Sequence, residues 1–150
     1  TLQTLMNAGA NLPRMFDLAL NRRSFTTLKL WGHALTNAMR DGDLVWATLP
    51  LSARQAVGHN GKGDADVINV LSTVTDGNIF VTISETEGNV IKVSWRARLG
   101  YDVSKIAQLF GGGGHVAASG ATINGTLADI EAQVLAATKE ILKRDNNSQK

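Results

Sequence analysis

The sequence predicts an α/β chain of the α+β kind, a mixed β-sheet flanked by helices and preceded by a helical arm. Three observations carry this. Apolar residues recur at helical spacing over residues 1–40, two strand-like runs between Ile79 and Arg98 are joined by turn residues, and helical spacing returns on both sides of a further short strand.

Composition narrows the class. With 150 residues, 43% of them hydrophobic, and 15 Lys+Arg against 13 Asp+Glu, the chain is neither disordered nor strongly charged. No apolar run reaches the ~20 residues of a membrane-spanning helix, so no membrane partner is expected. The absence of cysteine excludes disulfide scaffolds, cysteine-based zinc sites and cysteine nucleophiles. A net charge of +2 lacks the Lys/Arg clustering of a dedicated nucleic-acid binder, so any anion site must be local. The chain begins at Thr1 without a basic or long apolar leader, and it is expected to be an excised piece of a larger protein.

In the arm, Leu2, Leu5 and Met6, then Met15, Phe16 and Ala19, then Leu28, Trp31, Leu35 and Met39 predict three helices. The first stops near Gly9, Pro13 suits the first turn of the second, and Ser24 is a candidate N-cap for the third. Asp41-Gly42 breaks the pattern, which divides the chain into an arm (1–40) and a mixed body (41–150). Leu44, Trp46 and Leu49 form a short strand ended by Pro50, and Ser52 is placed to cap a short helix around Ala53 to Val57. After the glycine-rich stretch 58–63, Asp64 should cap a helix through Val67, Ile68, Leu71 and Val74.

Ile79 to Glu85 and Val90 to Arg98 read as strands around a Glu87-Gly88-Asn89 turn. Helical spacing at Val103, Ile106, Ala107 and Phe110 ends in Gly111 to Gly114, and Ala121 to Ile123 reads as a strand. Thr126 should cap a last helix from about Leu127 to Lys143, with Ile130, Val134, Ala137, Ile141 and Leu142 on its apolar face and a frayed tail beyond.

Two constellations could carry chemistry. Four consecutive glycines lose more backbone entropy on folding than any other residues, so Gly111-Gly112-Gly113-Gly114-His115 needs a reason. Close approach of a phosphate to exposed N–H groups is one, with His115 as a further donor and the segment to Ser119 opening a helix. A linker or a helix C-cap is the other. Apolar periodicity resumes at once in Val116-Ala117-Ala118, which embeds the loop in the fold. In Lys92-Val93-Ser94-Trp95-Arg96-Ala97-Arg98, period two sends Ser94, Arg96 and Arg98 to one face, either as a phosphate-gripping row or as a solvated sheet face over a buried Trp95. On the same pattern Gly113→Val should disturb both loop and binding if Gly113 needs φ > 0.

Elsewhere the residues read as structural. Asp64 and Asp66 beside Gly61-Lys62-Gly63 would repel an anion and suit a first helical turn. His33 and His59 have no second metal ligand near them in sequence, and Trp31 and Trp46 have no basic cluster beside them. No nucleophile–base pair and no convergent Asp/His set stands out, so the chain by itself should not catalyse.

Phe110 to Gly120 resembles the Gly-Gly-Gly-His motif of the DHH-associated domain of DHH-family phosphoesterases, Lys92 to Arg96 its Ser-x-Arg strand, and Tyr101-Asp102-Val103-Ser104 the lead-in to its helix. Leu5 to Gly9 and Phe25 to Trp31 resemble the end of the catalytic domain and the connector. The nanoRNase/pAp-phosphatase group is most similar. The resemblance implies a hydrolase with two lobes acting on a nucleotide or short single-stranded RNA. An N-terminal DHH lobe would hold manganese, and this lobe would hold no cofactor. Gly111, Gly112, Gly113, Gly114 and His115 would bind substrate phosphate with Ser94, Arg96 and, less centrally, Arg98. It also implies a cytoplasmic enzyme and leaves a homodimer open. Ser119 stands where the family usually has Ala, and Trp95 where an aliphatic residue is commoner. A cyclic-dinucleotide phosphodiesterase, a single-strand exonuclease, and a tRNA-binding or dimerising appendage share parts of the pattern.

Overall fold

A computed structural model describes residues 9, 11, 22–60 and 66–148, with side chains to 143. The first two expected helices, the Asp64 cap and residues 149–150 lie outside the described residues. The rest folds as a six-stranded mixed sheet flanked by five helices.

Chain order is α1 (Phe25–Thr36), β1 (Met39–Asp41), β2 (Leu44–Leu49), α2 (Leu51–Val57), α3 (Val67–Leu71), β3 (Ile79–Thr86), β4 (Val90–Ala97), α4 (Val103–Leu109), β5 (Gly113–His115), β6 (Ala118–Asn124) and α5 (Leu127–Ser148). In space the strands lie β1-β2-β3-β4-β6-β5. Only β2 and β3 run parallel, which is why a helical crossover separates them in sequence. β1 crosses the expected boundary after residue 40, and Leu30 and Ala34 of α1 pack with Val45 and Ala47 of β2.

Local chemistry sets the element ends. Ser24 Oγ accepts the Thr27 N–H at 3.1 Å, capping α1 as its sequence predicts. Thr126 caps α5 reciprocally: its hydroxyl accepts from Asp129 N at 3.3 Å and donates to the Asp129 carboxylate at 2.7 Å. Gly88 and Asn89 take φ of +77° and +56°, the left-handed geometry of the expected β3–β4 turn. Ser52 does not cap α2. Pro50 occupies that position, and the Leu51 N–H is taken by the Glu85 carboxylate at 2.9 Å. α3 is shorter than expected, because the turn at Ser72 leaves Val74 outside it and exposed.

Burial divides the sheet's two faces. On one, Leu44, Ile79, Val81, Ile83, Ile91, Val93 and Trp95 pack under α4 and α5. Trp95 is fully buried as expected, its Nε1 donating to Thr138 Oγ1 at 3.2 Å. On the other, α1 and α3 cover Val45, Ala47, Leu49 and Phe80, with Ala53 of the adjoining α2 also buried. Beyond β3 their cover thins to α3, whose Asn69 reaches Arg96 of β4. Along the rest of β4, β6 and β5 this second face is open among the described residues, and it carries the polar residues singled out from the sequence.

Candidate functional site

Residues opposite one another in adjacent strands send their side chains to the same side. The register therefore builds the open face row by row. Phe80, Arg96, Ala118 and His115 form one row across β3, β4, β6 and β5. Thr82, Ser94, Gly120 and Gly113 form the next, and Ser84, Lys92 and Thr122 the one beyond.

This arrangement makes a trough. Its floor is Ala118 and Gly120 on β6 with Gly113 on β5, residues with one methyl group between them. Ser94 and Arg96 rise on one side and His115 on the other, two strands away, or about 10 Å. Between those walls lies open space among the described residues. At the floor nothing lies within 4 Å of the Gly113 Cβ position, so the backbone there is uncovered among the described residues.

The four glycines of the run are not equivalent. Gly111, at φ +70°, is the left-handed residue of a Schellman cap on α4: its N–H donates to Gln108 O at 3.1 Å and that of Gly112 to Ala107 O at 2.9 Å. A Cβ on Gly112 would stand 2.2 Å from Gly120 O and 2.7 Å from Ala121 Cα. Gly114 combines φ +142° with a Cβ position 2.6 Å from Ala118 O. Gly113 alone combines an ordinary φ, which Gly112 shares, with a Cβ position that has nothing within 4 Å, which Gly111 shares. The expectation that Gly113 needs φ > 0 is therefore corrected. The helix expected after His115 is also absent: Val116 and Ala117 form a two-residue turn between β5 and β6, because β6 completes β4's hydrogen bonding.

Ser119 is buried on the opposite side of β6, where its hydroxyl donates to His115 O at 2.7 Å. That departure from the family pattern braces the turn and leaves the trough untouched. Among the described residues, the Ser94 hydroxyl and the His115 ring make no hydrogen bond or ion pair. Arg96 is half-buried, with Nη1 on Trp95 O at 3.0 Å and Nη2 3.5 Å from Asn69 Oδ1. Arg98 lies past the end of β4. Its Nε and Nη2 donate to Gly77 O and Val74 O at 2.9 and 2.8 Å, and its guanidinium stacks over Phe80. It holds the loop before β3 and stands at the trough's lower end.

The hollows along this face are lined by Arg96, Arg98, Leu99 and Ala118 at one end and by Ser94, Gly112, Gly120 and Thr122 further up; no described carboxylate lines either. Lys92 was missed in the sequence, although the same period of two that selects Ser94 and Arg96 selects it. Its ammonium makes no hydrogen bond or ion pair among the described residues. Asp102 and Ser104 sit behind the site at the start of α4. The Ser104 hydroxyl, then its backbone N–H, hold the Asp102 carboxyl below its ordinary value against the opposing effect of burial. Among the described residues no three His, Asp or Glu side chains converge. The manganese implied by the resemblance thus has no ligand set among them. No described helix is long and apolar enough to cross a membrane.

Known proteins resemble this chain in sequence and fold. The chain is 32% identical over 143 residues to the bifunctional oligoribonuclease and PAP phosphatase NrnA of Thermus thermophilus, covering 93% of this chain and 42% of that protein. It thus spans less than half the length of that relative. An exopolyphosphatase-related protein from Bacteroides fragilis has the same fold, with a TM-score of 0.79 at 24% identity over 95% of this chain and 43% of that one. A pGpG-specific phosphodiesterase, PggH, from Vibrio cholerae overlaps at a TM-score of 0.50 and 14% identity, over 76% of this chain and 39% of its own. Residues 52–144 match the model of the DHHA1 domain, and with the glycine–histidine hairpin, the Ser-x-Arg strand and this relative they place the chain in the DHHA1 domain family of DHH phosphoesterases.

Proposed function

We propose that the trough is the substrate-phosphate site of a phosphoesterase lobe acting on short oligoribonucleotides or phosphorylated nucleotides such as 3′-phosphoadenosine 5′-phosphate. One observation carries the reading. Ser94 and His115, without partners among the described residues, face each other with Arg96 across a floor almost free of side chains. A hydroxyl, a guanidinium and an imidazole provide donors for phosphate oxygens, and exposed glycine backbone adds room for close approach.

In this reading Arg96 supplies charge, Ser94 and His115 fix orientation, and Gly113 with Gly120 admits the phosphate. The hydrolytic centre, with the manganese of the resembled family, belongs to a DHH lobe beyond the described residues. Location in the cytoplasm goes with the same reading, as does any pairing of two copies.

Calorimetric titration of the chain with 3′-phosphoadenosine 5′-phosphate and with adenosine tests it. The bisphosphate should bind at least tenfold more tightly, since a single charge-assisted contact is worth about 1.4 kcal/mol or more. Equal affinity for both, or no binding of the bisphosphate, refutes it. Tight binding of structured tRNA but not of the bisphosphate would favour the appendage reading.

A further inference from the structure

A second groove opens at the upper end of β4, between α2 and the β3–β4 turn. It encloses about 720 Å³ and is lined by Arg54, Gln55, His59, Asn60, Glu87 and Lys92 among others. That volume is in the usual range for a small-molecule site. Arg54 is a fixed cation in its wall: it is 3% exposed, and its Nη2 donates to Ser84 Oγ at 3.2 Å. Lys92 stands between this groove and the trough, lining the hollows on both sides of itself. Among the described residues the one carboxylate on the lining, Glu87, lies on the exposed turn.

The spacing along β4 gives the groove a use. Lys92, Ser94 and Arg96 share a face at intervals of two residues, about 6.6–6.8 Å each. That interval is comparable to the step between successive phosphates of an extended single strand, and a strand lying along β4 would present one phosphate per side chain. We infer that Lys92 and the groove behind it form a further phosphate subsite, which takes the next internucleotide phosphate of a single-stranded oligonucleotide whose first two phosphates lie in the trough at Arg96 and Ser94. The inference rests on the trough being a phosphate site. A mononucleotide bisphosphate with its two phosphates at Arg96 and Ser94 stops short of Lys92, and the third phosphate of a 5′-phosphorylated trinucleotide reaches it. Lys92 is therefore a specificity-determining residue: it separates oligomers from mononucleotides.

The test is equilibrium binding of the chain to 3′-phosphoadenosine 5′-phosphate and to 5′-phosphorylated oligoadenylates of two, three and four nucleotides. For wild type, affinity should rise about tenfold between the mononucleotide and the trinucleotide, the scale of one charge-assisted phosphate contact. Lys92→Ala should remove most of that rise, leave the mononucleotide within twofold, and lower the trinucleotide's log–log salt slope by about 0.7. Lys92→Arg should keep the rise. Gln55→Glu, an exposed change that adds an opposing charge to the groove wall, should weaken only the longer ligands. Mononucleotide binding with no dependence on length overturns this inference and leaves the proposed function standing. Equal weakening of all ligands by Lys92→Ala also overturns it, by making Lys92 part of the trough. Failure of every ligand to bind overturns both.

Discussion

Within one run of identical residues, Gly112→Ala and Gly113→Ala should have opposite consequences. The new Cβ at position 112 meets Gly120 O at 2.2 Å and both Ala121 Cα and Cβ at 2.7 Å. None of these atoms is the end of a flexible side chain, so relief requires separating the glycine segment from β6. Overpacking typically costs 1–3 kcal/mol, and contacts this rigid put Gly112→Ala near the top of that range, about 3 kcal/mol. For a chain of this size that lowers Tm by about 6–12 °C. At position 113 the Cβ meets nothing within 4 Å and φ is ordinary, so stability should change by less than about 1 kcal/mol, in the favourable direction. The same methyl group stands on the trough floor, so Gly113→Ala should weaken binding of 3′-phosphoadenosine 5′-phosphate without lowering the melt. Thermal and urea unfolding followed by circular dichroism, with a titration of each variant, reads both quantities. Equal destabilisation by the two variants, or a neutral Gly112→Ala, refutes the assignment of close packing to one glycine and ligand space to the other.

His115→Ala and Ser94→Ala should each weaken bisphosphate binding about tenfold with Tm within about 2 °C of wild type, because neither side chain has a partner to lose among the described residues. Arg98→Ala should behave differently: it releases the Val74 and Gly77 carbonyls and should cost about 1–2 kcal/mol, seen as faster amide exchange across residues 74–80, with a smaller effect on binding than Arg96→Ala. Asp102 has its pKa depressed in the folded state, so its contribution is present above the unfolded value and is lost as pH falls through the folded one. Urea midpoints should therefore decline below about pH 4, and Asp102→Asn should flatten that decline.

Much of this architecture was legible in the sequence because side-chain periodicity reports it directly. The β3–β4 hairpin announces itself through alternating apolar residues around Gly88-Asn89. Ser24 and Thr126 mark helix starts by the chemistry of orphaned N–H groups. The two shortest strands were not legible. Met39–Asp41 continues the helical spacing of Leu35 and Met39, and three residues are too few to show a new period. Gly113–His115 has almost no side chains to show any period, and pairing with β6 decides its conformation. The extended backbone after His115 has the same origin, since β4 needs a partner along its outer side and local helical preference yields to that need. Lys92 is a different omission. Its period was readable, and the row of polar residues was simply ended one position too soon. Four glycines look alike as letters; only the approach of Gly120 and Ala121 distinguishes Gly112, and only open space together with an ordinary φ distinguishes Gly113.

The central claim is that phosphate binds in the trough over Ala118, Gly120 and Gly113. Titrating the isotopically labelled chain with 3′-phosphoadenosine 5′-phosphate and following its amide resonances tests this most directly. The account predicts saturable shifts at Ser94, Arg96, Gly113, His115 and Gly120, with Val134 and Thr138 on the opposite side of the sheet unmoved. Saturable shifts elsewhere with the trough silent, or the same shifts produced by adenosine without phosphate, would contradict it.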